Sequence, residues 1–207
     1  MLSQSARESL EEAAAVYQQA VEYAGPYLGS RGLNRQVADT VRLGYVTPDN
    51  AMVGHEGYIG RLSIPFITPT GVVDIRFRSI TDDDSPKYLS RSGADPHLYN
   101  VLAFQSDEDF IAVCEGEIDT MTAHYMCGIP TVGLPGANSW KPFYARAFMD
   151  YRKVFVLADG DQAGRDLGKK IAQQIDVATV VSMPDGMDVN DVFLAEGPDG
   201  IRKRVGL

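Results

Sequence analysis

The most regular hydrophobic pattern lies near the start of the chain. Within "RESLEEAAAVYQQAVEYAGPYLGSRG", Leu10, Ala14, Tyr17 and Val21 recur at helical spacing. This predicts one amphipathic helix ending near Gly25-Pro26. A second, shorter helix is predicted over "LNRQVADTVRLGYV", with Asn34 as N-cap and Gly44 as stop. The period then changes to two. "GRLSIPFIT", the turn "PTG" and "VVDIRFRSI" read as a β-hairpin. Its second strand alternates Ile75 and Phe77 with Arg76 and Arg78, so two guanidinium groups project from one face.

From residue 101 onward apolar runs alternate with helical stretches. "FIAVCEG", "IPTVGLPG", "KVFVLADG" and "ATVVSMPDG" read as strands; "IDTMTAHYMCG", "KPFYARAFMDY" and "AGRDLGKKIAQQI" read as helices. The expected fold class is α/β: a mostly parallel sheet flanked by helices over residues 105–207, preceded by a smaller α+β subdomain over residues 1–104. In such sheets ligands bind beyond the C-terminal ends of the strands, near the switch point. Acidic residues fall at those ends. Glu115 closes the first strand in "CEGEID", Asp159 and Asp161 follow the third in "ADGDQAG", and Asp188 and Asp191 follow the last in "MPDGMDVNDVF".

Taken singly, each acidic site has a plainer explanation. "DGD" is an ordinary turn, Glu115 with Asp119 suits a helix N-terminus, and "DVND" is an ordinary helix start. Their placement, each directly after a separate hydrophobic strand, favours one shared pocket. Two like charges at about 4 Å repel by roughly 4 kcal/mol at an effective dielectric of 20, so an empty cluster is costly. Oxygen ligands without His or Cys suit Mg²⁺ or Mn²⁺. A pair of such ions roughly 3.5–4 Å apart serves in-line phosphoryl transfer. Glu115, Asp159, Asp161, Asp188 and Asp191 are thus candidate metal ligands, with Glu115, Asp159 and Asp161 as catalytic candidates.

Composition narrows the classes. The 207 residues are 44% hydrophobic and 23% charged, which is ordinary for a globular protein. No apolar run approaches the roughly 20 residues that span a bilayer, and the N-terminal stretch is too charged for a signal peptide, so neither a membrane nor secretion is expected and the protein is placed in the cytoplasm. Cys114 and Cys127 are too few for a four-ligand zinc site and read as small buried residues. His55, His97 and His124 lack ligand-like spacing. The net charge of -9 argues against general affinity for nucleic acid, but it divides as -3, 0 and -6 over residues 1–24, 25–100 and 101–207. A polyanion would meet the middle segment most easily. There Arg76 and Arg78 form a two-pronged anion site that Arg61, Arg31 and Arg35 could extend, and Lys87-Tyr88 offers a point charge with a stacking ring.

"EGEIDTMTA", "LADGDQAGRDLGKKIA" and "MPDGMDVNDVF" resemble the three acidic motifs of the Toprim domain. "YLGSRGLNRQVADTVRLGYV", "IPFITPTGVVDIRFRSI" and "SPKYLSRSGADPHLYN" resemble, in order, the N-terminal subdomain of the DnaG-like, bacterial- and phage-type primase core. "EGEID" and "GLPGANSW" are especially similar to phage primases and primase-helicases. The resemblance covers roughly residues 20–195. It implies synthesis of short RNA primers on a single-stranded DNA template from nucleoside triphosphates, with Mg²⁺ or Mn²⁺. Carried onto this chain, Glu115 is the Toprim general base or metal ligand, Asp159 and Asp161 are the metal pair, and Asp188 with Asn190 or Asp191 completes the site. Gly116, Asp119, Gly160 and Asn190 support it, while Arg78 and Lys87 face template or triphosphate phosphates.

The chain shows no Cys/His zinc module, ends soon after the third acidic motif, and reads "ADPHLYN" where the family commonly has a Lys. A phage protein acting in the host cytoplasm, with a separate zinc-binding primase subunit and a replicative helicase as partners, fits these departures. A Toprim-type nuclease and a non-catalytic factor that binds single-stranded DNA are the alternatives. The primase-like first half is the feature that separates them.

Overall fold

The computed structural model describes residues 2–81, 86–91 and 93–207, with the side chain of Ala137 set aside. Ser85 and Ser92 of the "SPKYLSRSG" stretch therefore lie outside the described residues. The chain divides into two compact units, residues 1–95 and 96–207.

In the first unit, helix α1 (Gln4–Gln18) is capped by the Ser3 hydroxyl, which accepts from Ala6 N at 3.2 Å. It buries Leu10, Ala13, Ala14 and Tyr17 against Val46, Val72, Ile75 and Phe77. The expected stop at Gly25-Pro26 is instead a start. A 3₁₀ turn (Val21–Ala24) intervenes and α2 (Gly25–Ser30) begins with Pro26 in its first turn, where a missing N–H costs nothing. Helix α3 (Arg35–Thr40) is capped as expected, the Asn34 side chain accepting from Val37 N at 2.9 Å. Gly44 does not end it. Arg42 takes the left-handed conformation (φ 56°), and Gly44 opens strand β1 (Gly44–Tyr45). Glycine is needed there because a Cβ would stand 2.3 Å from the Tyr17 carbonyl carbon.

Strands β2 (Arg61–Thr68), β3 (Gly71–Ser79) and β4 (Tyr88–Ser90) complete an antiparallel meander in the order β1-β2-β3-β4. Ile75 and Phe77 are buried on the helix-covered face, and Asp74, Arg76 and Arg78 share the other. That second face is not a solvated one. Asp74 is buried and its Oδ1 accepts from Arg91 Nε and from Ile75 N, both at 2.9 Å.

The second unit carries strands β5 (Phe110–Cys114), β6 (Thr131–Gly133), β7 (Lys153–Ala158) and β8 (Ala178–Ser182) in the order β6-β5-β7-β8, every pairing parallel. Alternate side chains feed two cores. Ile111, Val113, Val154 and Val156 pack with Leu167, Ile171, Trp140 and Phe148; Ala112, Cys114, Phe155 and Leu157 pack with Val189, Val192, Ile201 and Val205. Burial on both faces explains why these strands read as continuous apolar runs. The covering helices are α4 (Glu117–Met121), continued by a π turn at Thr122–Met126, α5 (Gln162–Ala172), α6 (Val189–Glu196) and α7 (Pro198–Val205). "KPFYARAFMDY" forms a 3₁₀ helix (Pro142–Phe148) rather than an α-helix.

Residues 96–104 pack with this second unit, ahead of the sequence-based boundary. Tyr99 and Gly133 exchange backbone bonds of 2.8 and 3.0 Å, Asn100 Nδ2 donates to Thr131 O at 2.8 Å, and Ala103 joins the first of the two cores. Both cysteines are free and buried. Among the described residues no helix is long and apolar enough to cross a membrane.

Candidate active site

The order β6-β5-β7-β8 creates a switch point between β5 and β7, because the chain leaves β5 toward one edge of the sheet and returns from β6 to the other side of β5. Cys114 and Leu157 are register partners on these neighbouring strands. Glu115 follows the first directly and Asp159 lies two positions after the second, so both acids stand at the crevice that this topology opens.

Hydrogen bonds tie the third acidic segment to the other two. Asp119 Oδ1, in the first turn of α4, accepts from the backbone N of Asn190 at 3.0 Å, and the wholly buried Asn190 donates from Nδ2 to Thr122 Oγ1 at 2.9 Å. Gly160 N donates to Met187 O at 2.8 Å, and Gly186 N donates to Gly160 O at 2.9 Å. The loops after β7 and β8 thus run side by side. Asn190→Ala removes a buried bond and leaves a small void, so we expect a loss of about 2 kcal/mol in urea unfolding.

Electrostatics show the consequence of this convergence. The Asp159 carboxyl is pushed up to about 8, first by burial and then by the negative charges of Asp119, Glu115, Asp188 and Asp161. Asp159 Oδ1 is a buried acceptor with no hydrogen-bond partner among the described residues. The same field reaches Cys114, whose thiol is raised by burial and then by Asp119 and Asp159. Four carboxylates therefore act on Asp159.

Three of the expected acids also take part in helix caps. Asp161 Oδ1 accepts from Gly164 N at 2.7 Å at the start of α5. Asp188 and Asp191 form a reciprocal capping box on α6, with bonds of 2.7 and 3.2 Å, which commits the Asp191 side chain to the Asp188 backbone. Capping and ligation are compatible for Asp161 and Asp188, since a carboxylate has several lone-pair positions. Among the described residues no group of three or more His, Cys, Asp or Glu side chains is arranged to hold a metal ion by itself. Magnesium does not require one: it keeps several waters and binds through one or two carboxylates plus substrate phosphates. The all-oxygen donor set and the partnerless, electrostatically strained Asp159 fit such an ion.

Gly116, Thr122 and Arg165 support the acidic segments. A Cβ on Gly116 would stand 3.0 Å from Asp119 Oδ2. Thr122 Oγ1 links Asn190 to the Ile118 carbonyl at 2.9 Å. Arg165 Nη1 donates to Gly160 O at 3.3 Å and lies 3.5 Å from Asp185 Oδ1. Thr122 and Arg165 escaped the sequence reading, although Arg165 sits one helical turn after Asp161. Glu117, part of the "EGEID" motif but assigned no role from the sequence, is wholly buried in α4.

In the first unit the basic residues form an alternating stack. The Arg76 and Arg78 guanidinium carbons lie 4.4 and 4.9 Å from the Tyr88 ring centroid, and Arg78 also lies 5.5 Å from the Tyr27 ring, which Arg31 approaches at 5.7 Å. Arg78 pairs with Tyr88 across β3 and β4 and donates from Nη1 to its hydroxyl. Arg78 is only 5% exposed. The Tyr88 ring therefore holds guanidinium groups, which takes up ring surface that the sequence reading assigned to an unpaired base. Arg61, 3% exposed, donates to Pro86 O at 2.8 Å and so anchors the segment carrying Lys87, an exposed side chain. Arg35 is paired with Asp39 at 2.7 Å.

Comparisons with known proteins agree with this picture. The Toprim domain family matches residues 110–199. The "Gene 57 protein" of Mycobacterium phage D29 is 41% identical over 153 residues, covering 72% of this chain and 99% of the relative. The DNA primase of Aquifex aeolicus is 27% identical over 220 residues, 88% of this chain but 43% of that protein, so the chain spans less than half of the bacterial relative. Among solved structures, the DnaG primase catalytic domain bound to single-stranded DNA superposes with a TM-score of 0.80 at 22% identity, covering 96% of this chain and 78% of the other. The acidic switch-point crevice, the sheet order and these relatives agree: the chain belongs to the DnaG-like, bacterial- and phage-type family of DNA primase catalytic cores, with a Toprim domain in its second unit.

Proposed function

We propose that this chain catalyses template-directed synthesis of short RNA primers on single-stranded DNA. The observation that carries this reading is the set of carboxylates at the β5/β7 switch point, where burial and then the charges of Asp119, Glu115, Asp188 and Asp161 lift Asp159 to about 8. Asp159 and Glu115 would hold one divalent cation and Asp161 and Asp188 a second, with Asp191 fixing Asp188 through the capping box. Mg²⁺ or Mn²⁺, when bound, stabilises charge on the entering and leaving oxygens of an in-line displacement. Glu115, which directly follows β5, would orient or deprotonate the attacking 3'-hydroxyl.

The first unit contributes phosphate recognition. Tyr88 and Tyr27 hold the Arg78 guanidinium in one orientation, which lowers the ordering cost of binding a phosphate, while Arg76 and Lys87 offer the more accessible charge. The solved DnaG primase catalytic domain bound to single-stranded DNA supports such a strand as the occupant. A separate zinc-binding subunit and a replicative helicase remain the proposed partners.

Incubation of the protein with single-stranded DNA, four ribonucleotides and Mg²⁺ or Mn²⁺ is expected to yield short RNA, and Glu115→Gln to reduce it by about 10²–10³. Cutting of labelled DNA without synthesis would make the chain a Toprim nuclease instead. Metal-independent DNA binding with no product would make it a non-catalytic factor.

A further inference from the structure

The 3₁₀ helix Pro142–Phe148 presents a stripe that the acidic site does not use. Three residues per turn place positions 143, 146 and 149 in line. All three are exposed: Phe143 by 63%, Met149 by 77%, and Arg146 between them. The opposite side fastens the helix to its unit. Phe148 is buried in the core, Tyr144 donates its hydroxyl proton to Pro96 O at 2.7 Å, and the preceding Trp140 donates from Nε1 to Gln174 Oε1 at 3.1 Å. The stripe is therefore an exposed ring, a guanidinium and a thioether on a firmly seated support.

Charge indicates the occupant. Residues 141–153 contain Lys141, Arg146, Arg152 and Lys153 against the single anion Asp150, a surplus of +3 inside a half of the chain that carries -6. Arg152 is paired with Asp109 at 3.5 Å and Lys153 lies 4.6 Å from the Phe155 ring centroid. Lys141 and Arg146 are exposed and have no ion-pair partner among the described residues. A basic island carrying an exposed ring matches a strand that offers phosphates and unstacked bases together.

We propose that Phe143, Arg146 and Met149, with Lys141, form a contact surface for single-stranded nucleic acid, built from residues that the acidic site does not use. Bases stack on Phe143 and lie against the Met149 sulfur, while Arg146 and Lys141 meet phosphates. The identity of the strand as a template rests on the primase reading; the contact itself does not.

Anisotropy of a fluorescein-labelled oligothymidylate, titrated with the full chain in EDTA, tests this without involving the metal site. Phe143→Ala should weaken binding about tenfold, Phe143→Tyr should retain it, and Arg146→Gln should reduce the slope of log affinity against log salt by about one. Unchanged affinity and salt slope in Phe143→Ala and Arg146→Gln overturn the proposal. So does wild-type self-association in sedimentation that Phe143→Ala abolishes without any change in DNA affinity, which would assign the stripe to a second copy of the chain. Wild-type protein that binds the oligonucleotide through this stripe yet makes no primer leaves the surface standing and removes the primase reading.

Discussion

Asp159→Asn is expected to abolish primer synthesis while making the metal-free protein more stable. The activity loss should reach roughly 10³ or more, because a divalent ion supplies several kcal/mol of transition-state charge stabilisation and this carboxylate is the best-placed group to hold it. The stability gain follows from the raised carboxyl. In the fold Asp159 titrates at about 8, against an ordinary 3.8, because burial and four neighbouring carboxylates oppose its charge. Between those values the folded protein binds more protons than the unfolded chain. Its stability in EDTA therefore falls as pH rises from about 4 to about 8 and levels off above.

Asp159 is half-buried, so solvent screens part of the repulsion that its charge meets. About 1–3 kcal/mol is the expected gain, or roughly 2–10 °C in Tm, in calorimetry at pH 8 and above. Added Mg²⁺ or Mn²⁺ should raise the wild-type Tm by mass action and leave the variant nearly unmoved. A variant that melts below the wild type in EDTA at pH 8 would show that protein groups already compensate the Asp159 charge, and the case for a cation would fall.

How much of this was legible in the sequence depends on the range of the interactions. The two fold classes could be read because hydrophobic period is a local property: period two at Ile75–Phe77 and continuous apolar runs in β5 and β7 each report one kind of burial. The acidic positions could be read because they follow those runs. Chain-distant contacts could not. Gly44 looked like a helix stop, yet what requires glycine there is the Tyr17 backbone pressed against it, and Arg42 supplies the left-handed turn. The two arginines of β3 looked solvent-facing by alternation, yet Tyr27 and Tyr88, from a distant helix and a neighbouring strand, close over them. Asp191 reads as a ligand by spacing, and spacing alone did not reveal that its Oδ2 also accepts from the Asp188 backbone. Likewise the 3₁₀ geometry of Pro142–Phe148, which puts Phe143 and Arg146 on one line, has the same local sequence signals as an α-helix.

Gly160 offers the sharpest test of how the acidic segments are brought together. Its φ is not among the positive values, so conformational freedom is not the reason for glycine here. The reason is space: a Cβ would stand 1.8 Å from Pro184 O and 2.6 Å from its carbonyl carbon. Those are backbone atoms, and the Gly160–Met187 and Gly186–Gly160 hydrogen bonds hold both loops where they are. Gly160→Ala must therefore part the loops, losing two backbone bonds and carrying Asp159 and Asp161 away from Asp188. We expect a cost of about 3 kcal/mol or more, a Tm lowered by roughly 6–12 °C, and activity reduced with it. Gly186→Ala is the control: its φ of 76° strains an alanine, but nothing lies within 4 Å of the added carbon, so only about 1 kcal/mol should be lost. If Gly186→Ala proved the more damaging of the two, backbone dihedral strain rather than loop apposition would govern this corner, and the contact that joins the second and third acidic segments would lose its assigned importance.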